Sequence, residues 1–384
     1  MSPPGKPPDI TESEPDRDRS TVRTAIRNFT SQWFLLPQGT AILAAILKQL
    51  DYRFDGLTII SYIIWITAIL LLLSMLALYL LRSVMYPSHV LGALHRDDVE
   101  LAGLSSISIA FTSIIQMASL TLVPAWAGPW TDIVHALWWT SAGLALVVSI
   151  VLSFIFIKVY PSGVPHISPA TQHPLIAALT AAAGGGTICN SASLDPARQI
   201  PVIVVSYLFI GMALPLALAL DVLFWARLLG NYRPPRARAF QDMILCGPWG
   251  QSSFALIFLS ADAVAPVGHT SILAGLAAWG LSTFWWFFAI MGIGHAAFEG
   301  GRLRPIPYTL AGWALVFPWG VYTNAAIQLG KLLDSRAFKV WSTCLAAMLV
   351  VIWLANVFMT LRMLFLKRAR KHTCKTAGGV NGRL

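Results

Sequence analysis

Long stretches of this chain carry no charge at all, and that feature decides most of what it can become. Its 27 Lys and Arg and 17 Asp and Glu gather in short clusters separated by uncharged apolar runs. A soluble fold needs a hydrated, charge-bearing shell, and 11% charged residues among 384 is well below the roughly 25% of an ordinary domain. A soluble enzyme is thereby excluded. The uncharged runs point to a chain that crosses a lipid bilayer many times.

A helix needs about 20 apolar residues to cross a hydrocarbon core about 30 Å thick. Ten segments meet that need: 29–50, 57–86, 101–123, 135–160, 174–189, 200–229, 243–260, 272–295, 308–329 and 338–366. The expected fold class is therefore an all-α membrane protein with ten transmembrane helices. The fifth segment is short and ends in small polar residues, and the seventh is interrupted by Gly247-Pro248-Trp249-Gly250. Both read as broken or re-entrant, which lipid tolerates only where protein or a hydrated cavity covers the freed backbone groups.

Loop charge sets the orientation. With both termini cytoplasmic, that side holds 21 of the 27 Lys and Arg, as the positive-inside rule requires of an even number of spans. The net charge of +10 then belongs to the anionic inner lipid surface, and no nucleic-acid partner is implied. Residues 1–28, rich in Pro, Asp, Glu and Ser without an apolar run, read as a disordered cytoplasmic tail. Residues 29–366 form the membrane domain, and 367–384 a basic cytoplasmic tail. Cys189, Cys246, Cys344 and Cys374 are widely spaced with no C-x-x-C pair, and the eight His are dispersed, so neither a metal nor another cofactor is expected.

A weak repeat carries more information. Helix-breaking residues concentrate in the odd-numbered segments, as Pro37-Gln38-Gly39, Gly184-Gly185-Gly186, Gly247-Pro248-Trp249-Gly250 and Phe317-Pro318-Trp319-Gly320. A unit of one broken and one smooth helix recurs, so five helical hairpins in a ring are expected, the broken helices inside. Backbone groups freed at such breaks must face protein or water, and half-helix ends present partial positive charge to an anion. The alternative is that these glycines only let helices pack closely.

At these same residues the chain resembles a known family. Gly247 to Leu256 fits G-P-x-G-Q-x-x-F-A-L, and Gly312 to Val321 fits G-W-x-x-x-F-P-x-G-V. These patterns are similar to the tellurite-resistance/dicarboxylate transporter family, also called the voltage-dependent anion channel or malic acid transport family, and most like its fungal sulfite efflux pumps. The similarity runs from about Trp33 to Asn356. It implies five hairpins around a central anion pore, commonly assembled as a homotrimer. It also implies an aromatic gate on the ninth helix, which falls on Phe317. Pro318 beside it weakens the helix so that a bulky apolar ring can move.

The chain departs from the family where a proline is usual in the third and fifth helices; Ser106 to Ala110 and Ala178 stand there instead. Ser108, Thr112 and Gln116, beside Ser105 and Ser106, offer neutral donors in the third helix, as Gln251 and Ser252 do in the seventh. Serine and threonine more commonly satisfy carbonyls of their own helix. Asp221 is the one acid well inside a segment, a candidate for proton coupling or for a structural partner near Arg227. With no Lys or Arg deep in any segment, anion attraction would rest on helix ends, polar donors and mouth residues such as Arg233, Arg236 and Arg238.

An intramembrane serine protease can be written down from Gly250-Gln251-Ser252-Ser253 and His295, but Ser252 falls mid-span and His295 at a span end. The expected function is transport without catalysis. The resemblance implies a plasma-membrane anion transporter exporting sulfite or bisulfite, with a carrier of malate-like dicarboxylates or an exporter of an acidic metabolite as alternatives.

Overall fold

Helix is the only regular structure among the described residues, which in the computed structural model are 21–126, 128–161, 163–192, 194–230, 235–261, 265–298, 302 and 304–380. The helices are α1 (Thr21–Arg27), α2 (Leu35–Gln49), α3 (Leu57–Met85), α4 (Pro87–Arg96), α5 (Asp98–Trp126) and α6 (Pro129–Lys158). They continue as α7 (His173–Ser191), α8 (Pro196–Leu229), α9 (Cys246–Ser260), α10 (Ala265–Ala297), α11 (Val316–Leu332) and α12 (Arg336–Val380). Each of the ten apolar segments holds one long helix; α1 and α4 are short additions. Of the unstructured tail expected over 1–28, residues 1–20 lie outside the described residues, and Thr21–Arg27 is helical. The basic stretch after Leu366 continues α12 as far as Val380.

Among the described residues, seven helices are long and apolar enough to cross a membrane: α3, α5, α6, α8, α10, α12, and α9 together with the 3-10 segment Arg236–Leu245 that leads into it. The other three, α2, α7 and α11, are almost wholly buried. Every residue of α2 except Lys48 is buried, as is every residue of α7 from His173 to Cys189 and of α11 from Val316 to Gly330. Their small residues explain the difference. A helix reading AALTAAAGGGT has little apolar bulk to offer lipid, but it lets neighbours approach from all sides.

Packing sorts the ten into two layers. Helices α2, α5, α7, α9 and α11 touch one another in that order, and α11 returns to α2, closing a ring. Each also packs on the helix that follows it by a short connection: α3, α6, α8, α10 and α12 respectively. These connections are 50–56, 127–128, 192–195, 261–264 and 333–335. The outer helices present large apolar side chains outward, such as Ile63 and Leu70 on α3 and Val351 and Phe358 on α12. In water that surface would be untenable; in lipid it is ordinary.

The expected helix breaks are corrected by the structure. Helix α7 runs unbroken through Gly184, Gly185 and Gly186, and α2 runs unbroken through Pro37 and Gly39. Pro37, Pro248 and Pro318 occupy the third position of α2, α9 and α11, where a missing N–H breaks no intrahelical bond. Each follows a 3-10 segment: Ser31–Phe34, Arg236–Leu245 and Leu310–Leu315. Proline thus marks the point where a tight 3-10 lead-in relaxes into α-helix. The glycines are sites of close approach. A Cβ on Gly320 would lie 2.9 Å from Ile42, and one on Gly250 would lie 2.9 Å from the backbone nitrogen of Tyr322. Close packing, the alternative weighed from the sequence, describes them.

A buried ion pair that the sequence did not reveal fastens the first two hairpins. Arg82, in the last turn of α3, sets Nη1 2.5 Å from Glu100 Oε1 of α5, with both side chains 2% exposed. Ser31 N–H donates to Glu100 Oε2 at 2.9 Å, and Arg82 Nε donates to the Arg27 carbonyl at 3.2 Å. Arg82 is thus neutralised inside the protein.

Candidate functional site

Contacts fix which face of each inner helix looks into the ring. On α11, Val316 lies against Gly39 of α2, Pro318 lies near Gly247 of α9, and Trp319 turns away to donate to the Leu345 carbonyl of α12 at 3.1 Å. Phe317, between Val316 and Pro318 in sequence, therefore faces the enclosed centre. Helical spacing puts Asn324 and Gln328 below it on the same face.

The other four helices follow the same logic. On α9, Gly247 has Ile176 of α7 on one side and Pro318 on the other, so it faces inward, and Gln251, Phe254 and Phe258 continue its stripe. On α2 the stripe is Gln38, Ile42, Ala45 and Gln49; Gln49 Nε2 donates to Asn324 Oδ1 at 3.2 Å and Gln49 Oε1 accepts from Gln328 Nε2 at 2.8 Å. On α7, Gly185 abuts Ser206 of the outer α8, which leaves Ile176, Thr180, Ala183 and Thr187 on the inward side. On α5, half-buried Leu104, Ile107 and Phe111 point outward and Ser106, Ile109 and Gln116 point in.

All these inward residues are buried except Phe258, which is half-buried. The middle of the axis is therefore filled by side chains, and the hydrated route expected from the sequence is not seen in this structure. Phe317 itself is 2% exposed. Near it, at the end of the ring where all five inner helices begin, is a cavity of about 20 Å³. It is lined by Leu35, Ala102, His173, Ile244 and Ala314, among others, and is room for about one water. The inner helices all point the positive ends of their dipoles to that mouth.

Five buried polar atoms on the inward faces have no hydrogen-bond partner: Gln38 Oε1, Ser106 Oγ, Gln116 Nε2, Gln251 Oε1 and Asn324 Nδ2. Buried polar groups are nearly always paired, because an unpaired one costs about 1–3 kcal/mol. Such atoms from four helices along one axis make a lane whose polar groups are completed only when water or a polar solute enters. Of these, Ser106, Gln116 and Gln251 were legible as candidates. Gln38, Gln49, Asn324 and Gln328 were missed, although their spacing on two helices was a readable signal. Lys331, exposed at the far end of α11, donates to the Gln49 carbonyl at 2.8 Å.

Other candidates go elsewhere. Thr112 Oγ1 donates to the Ser108 carbonyl of its own helix at 2.9 Å and pairs with Ser141 of α6, so Thr112 serves the α5–α6 contact rather than the axis, while the buried Ser108 Oγ has no hydrogen-bond partner. Ser252 turns away from the stripe that holds Gln251. It is fully buried, whereas His295 is exposed. Ser282 of α10 packs against Gly250, and the 13 residues from Ser282 to His295 span about 20 Å, so no Ser–His dyad forms. Arg236 donates to the carbonyls of Ala296 and Arg304, and Arg238 lies 3.6 Å from Asp98. Arg233 and the side chain of Cys374 lie outside what the structure describes.

Asp221 is buried on α8 and holds three donors: Gln172 Nε2 to Oδ1 at 2.5 Å, and Trp249 Nε1 and Trp285 Nε1 to Oδ2 at 2.6 and 3.0 Å. It ties the outer helix to α9, to α10 and to the lead-in of α7.

The chain is similar to known proteins along most of its length. The family described as Voltage-dependent anion channel matches residues 28–361. The sulfite efflux pump of Arthroderma benhamiae is 28% identical over 344 residues, covering 86% of this chain and 89% of the relative. That of Trichophyton rubrum matches to the same extent. The malic acid transport protein of Schizosaccharomyces pombe is 22% identical over 355 residues, covering 88% of this chain and 78% of the relative.

Proposed function

The chain belongs to the voltage-dependent anion channel family, and from that premise we propose that it carries sulfite or bisulfite out of the cell across the plasma membrane. The observation that carries the reading is the lane of partnerless polar atoms on the closed axis of the five-helix ring. A small oxyanion entering there meets three donors, Ser106 Oγ, Gln116 Nε2 and Asn324 Nδ2, without a buried cation, while the acceptors Gln38 Oε1 and Gln251 Oε1 suit the water that travels with it. Weak, distributed attraction of that kind lets an ion leave as well as arrive. The sulfite efflux pumps among its relatives support the choice of ion. The malic acid transport relative supports a second reading, a C4 dicarboxylate on the same lane.

In this reading all ten long helices cross the bilayer as five hairpins. Both termini are cytoplasmic and the mouth that begins the inner helices faces the cytoplasm, where the arginine-bearing connections lie. Phe317 is the gate, and three copies assemble with one lane each.

Uptake of labelled sulfite and of labelled malate into proteoliposomes tests the function. Sulfite is expected to move faster than in empty liposomes. Movement of malate alone would install the second reading, and movement of neither would end both.

Asp221 is a positioning residue in this scheme. Asparagine keeps one oxygen acceptor and turns an NH2 toward either Gln172 or the two indoles, a donor facing a donor. Asp221→Asn is expected to cost about 2–3 kcal/mol of stability, measured by thermal unfolding in detergent. The pH dependence of flux should be unchanged; its disappearance would instead make Asp221 the proton-coupling group.

A further inference from the structure

A cleft of about 540 Å³ opens on the outside of the ring, between the C-terminal ends of α6 and α8, and none of the transport argument uses it. Its walls are two facing helical stripes: Phe156, Ile157 and Tyr160 continue Ser153 at and beyond the end of α6, and Leu220, Leu223 and Arg227 continue Leu216 on α8. The lower part is apolar and open to the side, with Ile157 68% and Leu216 51% exposed. At the top stand Arg96, Arg227 and Arg238, with Asp98 the one acidic residue among the lining.

Three properties of this cleft belong together. Its long wall runs from Leu216 to Arg227, eleven residues or about 16 Å of helix, which is one leaflet of a hydrocarbon core about 30 Å thick. Its size falls in the range of sites that hold a small organic ligand. Its charge is concentrated at one end, where planar guanidinium groups match phosphate oxygens in pairs. Asp98 accepts from Ser168 Oγ at 2.8 Å and lies 3.6 Å from Arg238, so its single negative charge offsets one arginine and leaves the excess of the other two. Arg227 braces the rim by donating to the Ile167 carbonyl, which fixes its guanidinium beside the cleft.

We propose that this cleft binds an anionic phospholipid from the adjoining leaflet, with the headgroup phosphate on Arg96, Arg227 and Arg238 and an acyl chain along the α6 and α8 stripes. A free oxyanion satisfies the arginines but leaves the apolar wall uncovered. A zwitterionic lipid satisfies the wall but brings a cation to the arginines. Only a lipid with net negative charge fits both ends.

The test is native mass spectrometry of the full chain released from nanodiscs of phosphatidylcholine mixed with phosphatidylserine. The wild type should retain phosphatidylserine in preference to phosphatidylcholine. The double variant Arg96→Gln, Arg238→Gln should retain about tenfold less or lower still, since each basic residue at a headgroup contributes measurably. Leu220→Trp, which fills the wall without touching the charges, should lower retention as well. Because the two variants act at opposite ends, a folding defect in one leaves the other informative. Equal retention of both lipids, no difference between wild type and either variant, or displacement of the lipid by millimolar inorganic phosphate would each overturn the proposal. So would a crosslink between cysteines placed at position 216 of two copies, because the cleft would then be a subunit interface.

Discussion

Phe317→Ala is expected to raise anion flux through the reconstituted protein by about tenfold or more. In the proposed reading the ring, which is 2% exposed and faces the centre where five helices begin, is an apolar obstacle to an entering ion. Removing a barrier of about 1.4 kcal/mol is worth a factor of ten in rate, the least expected of a phenyl plug on the proposed path. The substitution also leaves a cavity that costs about 3–5 kcal/mol of stability, so flux must be compared at equal amounts of folded protein. Phe317→Leu, which keeps most of the bulk, should lie between. Unchanged flux in the alanine variant, with folded protein demonstrated, would remove Phe317 from the gate.

Glu100→Ala should be among the most damaging single changes to stability. Arg82 would keep its charge in a site that is 2% exposed, with only the Arg27 carbonyl left among the partners described above. Breaking one side of such a pair typically costs about 3–5 kcal/mol, because desolvation of the survivor is no longer offset. Ser31 would lose its carboxylate acceptor at the same time. The double variant Arg82→Met, Glu100→Leu removes both charges and should recover most of the loss, since apolar replacement of a buried pair is often neutral. A loss under about 1 kcal/mol for Glu100→Ala, read by thermal unfolding in detergent, would mean that water reaches the pair after all.

The sequence made the layers legible because lipid writes strong rules. Outer helices must be long and apolar, while small residues such as Ala181 to Gly186 are affordable only where protein surrounds a helix on every side. What misled was the meaning of proline. Pro37, Pro248 and Pro318 look identical in a string whether they break a helix or begin one, and the 3-10 lead-ins that settle the matter depend on tertiary packing. The axis was half legible for a related reason. Gln116 and Gln251 stand out as polar in apolar runs, but whether Thr112 turns to the centre or to Ser141 depends on a rotation that one helix alone does not define. Arg82 and Glu100 lie 18 positions apart near the ends of two apolar runs, and nothing in the string pairs them.

The ring closes between α11 and α2, at opposite ends of the chain. Gly39 meets Val316, Gly320 meets Ile42, and Gln49 reaches Asn324 and Gln328, so the earliest inner helix to be synthesised waits for the last. During translation the open edge of α2 must spend the whole intervening synthesis in a bilayer, with polar side chains such as Gln38 and Gln49 lacking their eventual surroundings. A nascent molecule is then a horseshoe rather than a ring, open to chaperones, to proteolysis and to the wrong neighbour until its final hairpin arrives. Premature termination anywhere before α11 removes the keystone. The shortened product is expected to be a substrate for quality control rather than a partly active transporter.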